Sequence, residues 1–147
     1  MFNICRHRFY VEIDGTRYGF KEVEGVGVNI EVNEYREGSD PASSSRAVPG
    51  LVRCGPLILR YGLMGNPVNN DMWNWIKQAF EGNEQKKRIV IVLLDRKNTA
   101  VVKYTLTNAW PSSWRLGRLD SLLGSPLVEE LVVQYEKLDV HYEAITA

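Results

Sequence analysis

Residues 26 to 33 read Val26-Gly27-Val28-Asn29-Ile30-Glu31-Val32-Asn33, a strict two-residue alternation. Successive side chains of an extended strand point to opposite faces. The valines and Ile30 therefore share one face, and Gly27, Asn29, Glu31 and Asn33 share the other. Such a pattern predicts a strand with its apolar face on a core and its polar face in water. The same period recurs along the chain. Phe9, Val11 and Ile13 alternate with Tyr10 and Glu12, Asp14-Gly15 is a hairpin turn signal, and Tyr18 and Phe20 continue the return strand. Leu57, Leu59 and Tyr61 alternate with Ile58 and Arg60, which predicts the partner of the strand at 26–33.

Residues 89–94 form a continuous apolar run, as in a strand buried on both faces. Residues 95–99 turn the chain, and 101–110 read as the return strand, stopped by Pro111. Residues 112–126 read as irregular, anchored by Trp114, Leu116 and Leu119. The last predicted strand covers 128–138. It has Leu131, Val133 and Tyr135 on one face and Glu130, Val132, Gln134 and Glu136 on the other. One segment has helical spacing: Met72, Trp75, Ile76, Ala79 and Phe80 make an amphipathic helix of about three turns. Asn70 or Asp71 is expected to cap it, and Gly82-Asn83 to end it. The order predicts a mainly β protein: a small antiparallel barrel or sandwich with one flanking helix. The 147 residues suit a single domain, 1–147.

Residues 35 to 50 are too long for a hairpin turn and too polar for a core. A long loop in a small β domain is usually a binding element, so this segment reads as a docking arm between strands. Long alternating strands without internal proline also leave adhesive edges, which a closed barrel or neighbouring subunits must satisfy. A ring of identical subunits joined sheet to sheet would do so. The polar strand faces, Asn29, Glu31, Asn33 and Glu130, Gln134, Glu136, are poor in lysine. They fit a wet surface that does not grip passing cargo, and an ordinary solvated sheet face has the same pattern.

Eighteen basic residues balance eighteen acidic ones, which argues against a dedicated nucleic-acid binder. The two cysteines, Cys5 and Cys54, make no disulfide framework. Residues 1–10 carry Arg6, His7 and Arg8 and lack an apolar core, so no cleaved signal is expected. The longest apolar run is too short to span a membrane. Cys5, His7 and His141 lack zinc-site spacing, so no metal or cofactor is expected. Cys54 has no indicated base, and Glu129, Glu130 and Glu136 read as a solvated strand face before a glycosidase pair. Tyr104, Trp110 and Trp114 read as core or interface anchors before base-stacking groups. Gly25-x-Gly27 precedes a strand, not the helix a phosphate loop needs. No enzyme is expected. Two readings stay open: a self-assembling structural subunit, and a monomeric β-barrel binding module that holds a ligand or peptide with the long loop.

Five segments in order point further. They are Gly19-Phe20-Lys21-Glu22-Val23-Glu24-Gly25-Val26; Tyr35-Arg36-Glu37-Gly38 with Arg46 and Pro49-Gly50; Trp73 or Trp75 in the helix; Asn108-Ala109-Trp110-Pro111; and Leu119-Asp120-Ser121 followed by Glu129-x-Leu131-x-Val133-x-Tyr135-Glu136. Together the chain resembles the tail tube proteins of contractile-tailed phages and the inner tube proteins of extracellular contractile injection systems. The resemblance implies homo-hexameric rings, each subunit giving four strands to one ring-shaped inner β-barrel, stacked into a hollow tube. It implies a ring-stacking arm of Tyr35, Arg36, Glu37, Gly38, Arg46, Pro49 and Gly50. It implies a lumen lined by Asn29, Glu31, Asn33, Glu130, Gln134 and Glu136, through which protein or DNA cargo passes. The partners implied are further copies, a sheath protein and baseplate or tube-initiator proteins. The expected setting is synthesis in the bacterial cytoplasm and assembly into a virion tail or injection particle, with no stable membrane insertion.

Overall fold

A computed structural model describes residues 8–35, 46–62, 68–122, 124 and 127–143. Strands β1 (Phe9–Ile13) and β2 (Thr16–Tyr18) form the expected hairpin, with Ile13 opposite Thr16 and positive φ at Asp14 and Gly15. The short β3 (Glu22–Glu24) leads into β4 (Val28–Tyr35), which pairs with β5 (Arg46–Cys54). Then come β6 (Leu57–Gly62), helix α1 (Val68–Phe80), β7 (Lys87–Leu94), β8 (Ala100–Leu116), β9 (Val128–Gln134) and β10 (Lys137–Tyr142).

All pairings are antiparallel. One eight-stranded sheet runs β2-β1-β7-β8-β9-β6-β3, with β10 also on β8, and β4-β5 form a separate two-stranded sheet. The 17-residue β8 belongs to both halves of the large sheet. Its first half lies between β7 and β10, and its second half pairs with β9. At the junction Asn108 adopts a left-handed φ of 55°. Opposite it, residues 135 and 136 separate β9 from β10, although both keep one register along β8, with Trp110 facing Gln134 and Thr107 facing Lys137. Bending two paired strands at one place folds the sheet over on itself, the usual way a strand passes between packed layers.

The fold closes on a core from both layers and the helix: Val11, Leu57, Leu59, Tyr61, Trp75, Ile89, Leu106, Leu131 and Val133 are at most 1% exposed. Trp75 also donates its Nε1–H to the carbonyl of Gln85 at 2.9 Å, which ties the helix to the approach of β7. The run at 89–94 is buried on both faces at Ile91 and Val92, as expected. The helix ends as read, with the Asn83 N–H on the Gln78 carbonyl and the Gly82 N–H on that of Ala79.

Four expectations change. The helix begins at Val68, so Asn70 and Asp71 lie inside its first turn and do not cap it; Asp71 there still favours the positive helix end. Pro111 does not stop its strand. It sits beside a bulge between Pro111 and Ser113, the kind of position where a sheet tolerates proline, and residues 112–116 continue in β8. The strand expected over 128–138 is split by the bend at 135–136, so Glu136 lies on no strand. The partner of β4 is β5, across the arm, while β6 pairs with β3 and β9.

Candidate assembly interface

The β4–β5 hairpin carries the largest departure from the sequence reading. Its apolar face was expected on a core, yet Val28, Ile30, Val32 and Val52 are 57%, 49%, 69% and 61% exposed. The register makes this one continuous face: Val28 lies opposite Cys54, Ile30 opposite Val52 and Val32 opposite Pro49. Two paired strands cannot bury their own side chains, since both rows stand on the same side. Leu51 and Val48 add exposed apolar surface on the other face, beside Asn29, Glu31 and Asn33. One polypeptide thus holds out a hairpin with few charges on one side.

The arm of the sequence reading is the far end of this hairpin. Tyr35 and Arg46 are cross-strand partners there, Pro49 faces Val32, and Gly50 lies in the irregular stretch after Ile30. A Cβ at Gly50 would come within 2.6 Å of the Asn33 side-chain nitrogen, so the side chain of Asn33 folds over it. Arg36, Glu37 and Gly38 lie outside the described residues.

The expected lumen set is divided between two sheets. Asn29, Glu31 and Asn33 stand on the hairpin, where Glu31 receives Arg53 Nε and a second guanidinium nitrogen, each at 2.9 Å. Glu130 and Gln134 stand on β9 in the folded sheet. Gln134 donates to the Ser112 hydroxyl at 3.1 Å. Glu136 lies in the bend and accepts from Lys86 at 2.8 Å and from Asn108 at 3.0 Å. These bonds, Lys86 first, hold the Glu136 carboxyl below its ordinary pKa and raise that of Lys86.

Sequence reasoning missed the charged row around Glu130. Across β8, β9, β6 and β3 the register brings Arg115, Glu130, Arg60 and Glu22 side by side. Arg60 bonds Glu22 at 2.9 Å, Glu24 at 2.8 Å and Glu130 at 3.1 Å. Its hydrogen bonds to Glu22 and Glu24 push its already high pKa higher. The alternation of Glu22, Val23 and Glu24 was a usable signal, but which strand they would meet is a long-range fact.

A second exposed apolar area flanks the helix. Trp73 packs edge-on against Trp114 at 5.1 Å between centroids and lies 6.0 Å from Phe80, which is 64% exposed. Trp114 also donates to the Tyr61 hydroxyl at 3.3 Å, as a core anchor rather than a free stacking surface. Among the described residues no group of three His, Cys, Asp or Glu is placed to hold a metal. Cys5 and His7 lie outside those residues, and Cys54 Sγ faces the Glu136 carbonyl at 3.6 Å. Two of the grooves, of about 470 and 540 Å³, are lined largely by polar groups such as Arg53, Gln134 and Glu136, and Glu12, Arg88 and Lys103. No described helix is long and apolar enough to cross a membrane.

The family model described as T4-like virus tail tube protein gp19 matches residues 6–139. No curated protein matches the chain. Among solved structures, the chain is similar to one from the sheath-tube complex of the extracellular contractile injection system PVC in its extended state. That match has a TM-score of 0.83 and 23% identity, covering 95% of this chain and 92% of the other. A chain of the six-fold symmetrised anti-feeding prophage baseplate matches with a TM-score of 0.82 and 23% identity over 99% of both chains. Hcp1 from Salmonella typhimurium is more distant, with a TM-score of 0.58, 13% identity, and 91% and 85% coverage. At these identities the likeness is one of fold.

Proposed function

The chain belongs to the tail tube protein family of T4-like viruses, structural subunits of a contractile tail's inner tube, and from that premise we propose how it builds a tube. It is a single domain whose copies associate side by side into homo-hexameric rings, and the rings stack into a hollow conduit. The observation that carries this reading is the exposed apolar face of the β4–β5 hairpin, Val28, Ile30, Val32 and Val52. A protein that remained a monomer would leave that face in water, against the hydrophobic effect. A neighbouring copy removes it from water and pairs the open strand edges.

In this arrangement Tyr35, Arg36, Glu37, Gly38, Arg46, Pro49 and Gly50 make ring-to-ring contacts. Asn29, Glu31, Asn33, Glu130, Gln134 and Glu136 line the lumen, and the Arg60 row neutralises part of the charge around Glu130. The lining is mixed, with Leu51 and Val48 beside Asn29, Glu31 and Asn33 on the hairpin, and protein or nucleic-acid cargo passes along it. A sheath protein surrounds the tube and baseplate proteins start it, in keeping with the sheath-tube and baseplate structures of similar fold. The protein turns over no substrate and uses no cofactor. It is made in the bacterial cytoplasm and ends in a phage tail or injection particle.

The test is light scattering and negative-stain electron microscopy on one concentrated sample. Rings with a central hole, or tubes of stacked rings, are expected. A strict monomer that also fails to add to a preformed baseplate overturns the proposal.

A further inference from the structure

The hairpin joins the folded sheet at two short segments, residues 25–27 before β4 and 55–56 after β5. Both converge on one side chain. The Tyr135 hydroxyl accepts the Gly27 N–H at 3.0 Å and turns its own proton toward the carbonyls of Gly25 at 3.1 Å and Gly27 at 3.0 Å. The Gly27 carbonyl in turn receives the Gly55 N–H at 3.1 Å, which closes the root. Two glycines make the approach possible. A Cβ at Gly25 (φ 94°) would lie 1.9 Å from the Pro56 carbonyl oxygen, and one at Gly55 (φ 68°) would lie 2.5 Å from Cε1 of Tyr135. Tyr135 itself is 5% exposed and sits at the bend between β9 and β10, within the core cluster. Burial raises its pKa, so at neutral pH the hydroxyl keeps the proton it donates.

We propose that the Tyr135 hydroxyl is the pin that fixes the angle of the β4–β5 hairpin to the folded sheet, a positioning residue for assembly. The lever explains why one hydroxyl matters. The eight residues of β4 extend about 26 Å at about 3.3 Å each. A rotation of about 10° at the root displaces the far end by about 4.5 Å, close to the spacing of neighbouring strands. A hairpin free by that amount meets the next copy one strand out of place. No other element pairs with β4 or β5 among the described residues, so the direction is set at the root and just beside it, where Cys54 Sγ reaches the Glu136 carbonyl at 3.6 Å. The pin is a property of the single chain, and only its consequence for assembly rests on the tube reading above.

The experiment is Tyr135→Phe in the full chain, with two readouts. Amide hydrogen exchange on the dilute protein reads the pin directly. The Gly27 amide is expected to exchange about tenfold faster or more, while amides of β7 and β8 keep their protection. Light scattering and electron microscopy read the consequence, an assembly yield at least about tenfold lower at equal concentration. Unchanged Gly27 exchange overturns the pin, and so does normal assembly with lost protection. If Tyr135→Phe loses the core protection as well, Gly25→Ala decides. It leaves the core side chains intact and forces the root away from Pro56, so it must show the same two effects, and normal assembly of that variant overturns the proposal. A parent protein that assembles under no condition counts against the tube reading, and the exchange readout still decides the pin.

Discussion

Ile30→Asp places a carboxylate in the middle of the hairpin's apolar face. In the isolated protomer Ile30 is 49% exposed, so the new charge stays hydrated. The cost there is the lost half of an isoleucine's burial, about 1 kcal/mol, which for a chain of 147 residues lowers Tm by about 2–4 °C. The assembled state differs. Val28, Ile30, Val32 and Val52 retain on average about 0.6 of their exposure, and full burial of such side chains contributes about 1.5–3 kcal/mol each. Covering all four therefore stabilises each contact by about 4–7 kcal/mol. The aspartate removes about 1 kcal/mol of that and adds a desolvated, unpaired carboxylate at several kcal/mol. A net loss of about 4 kcal/mol raises the concentration needed for association about a thousandfold. Thermal melts at low micromolar concentration, followed by light scattering at the parent's assembly concentration, separate the two effects. A near-parental Tm with no particles is expected. Tubes at the parental concentration would refute an apolar contact here, and a Tm lowered by tens of degrees would show that Ile30 belongs to the protomer's own core.

Two further outcomes come from the ion pairs. Arg60→Leu leaves Glu22, Glu24 and Glu130 without their common partner. Because Glu22 and Glu24 are largely exposed, the cost is about 1–2 kcal/mol, and the gap in Tm from the parent should narrow at about 1 M salt, where exposed ion pairs are screened; a gap independent of salt contradicts the charge argument. Glu136 has a folded pKa lowered from 4.5, so its bonds to Lys86 and Asn108 support the bend fully above pH 4.5 and lose that support as pH falls through the lower folded value. Side-chain chemical shifts of Asn108 followed through an acid titration should move in that window, and Glu136→Gln should remove the movement.

Much of the protomer was legible because the signals are local. The Asp14-Gly15 turn, the helical spacing of Met72, Trp75 and Ile76, and the apolar run at 89–94 each fix dihedrals or burial over a few residues. Pro111 misled because sheets tolerate proline beside a bulge, and a bulge depends on the partner strand. The β9–β10 break was hidden because it coincides with the left-handed Asn108 on the opposite strand, a match only the register reveals. Glu130 was placed on the correct face, but Arg60, some 70 residues earlier, could be assigned to it only once the register of β6 on β9 was known.

The sequence by itself determined that the alternation over 26 to 33 makes a strand with one apolar and one polar face, found as Val28–Tyr35, because alternation is written residue by residue. It could not determine what covers the apolar face. That depends on the direction of the hairpin, set where Gly25, Gly27 and Gly55 meet a tyrosine about 80 to 110 residues further along the chain. Alternation constrains only side-chain direction relative to the local backbone, whereas burial requires a second surface. Only the tertiary structure decided that the described residues of the protomer leave this face uncovered.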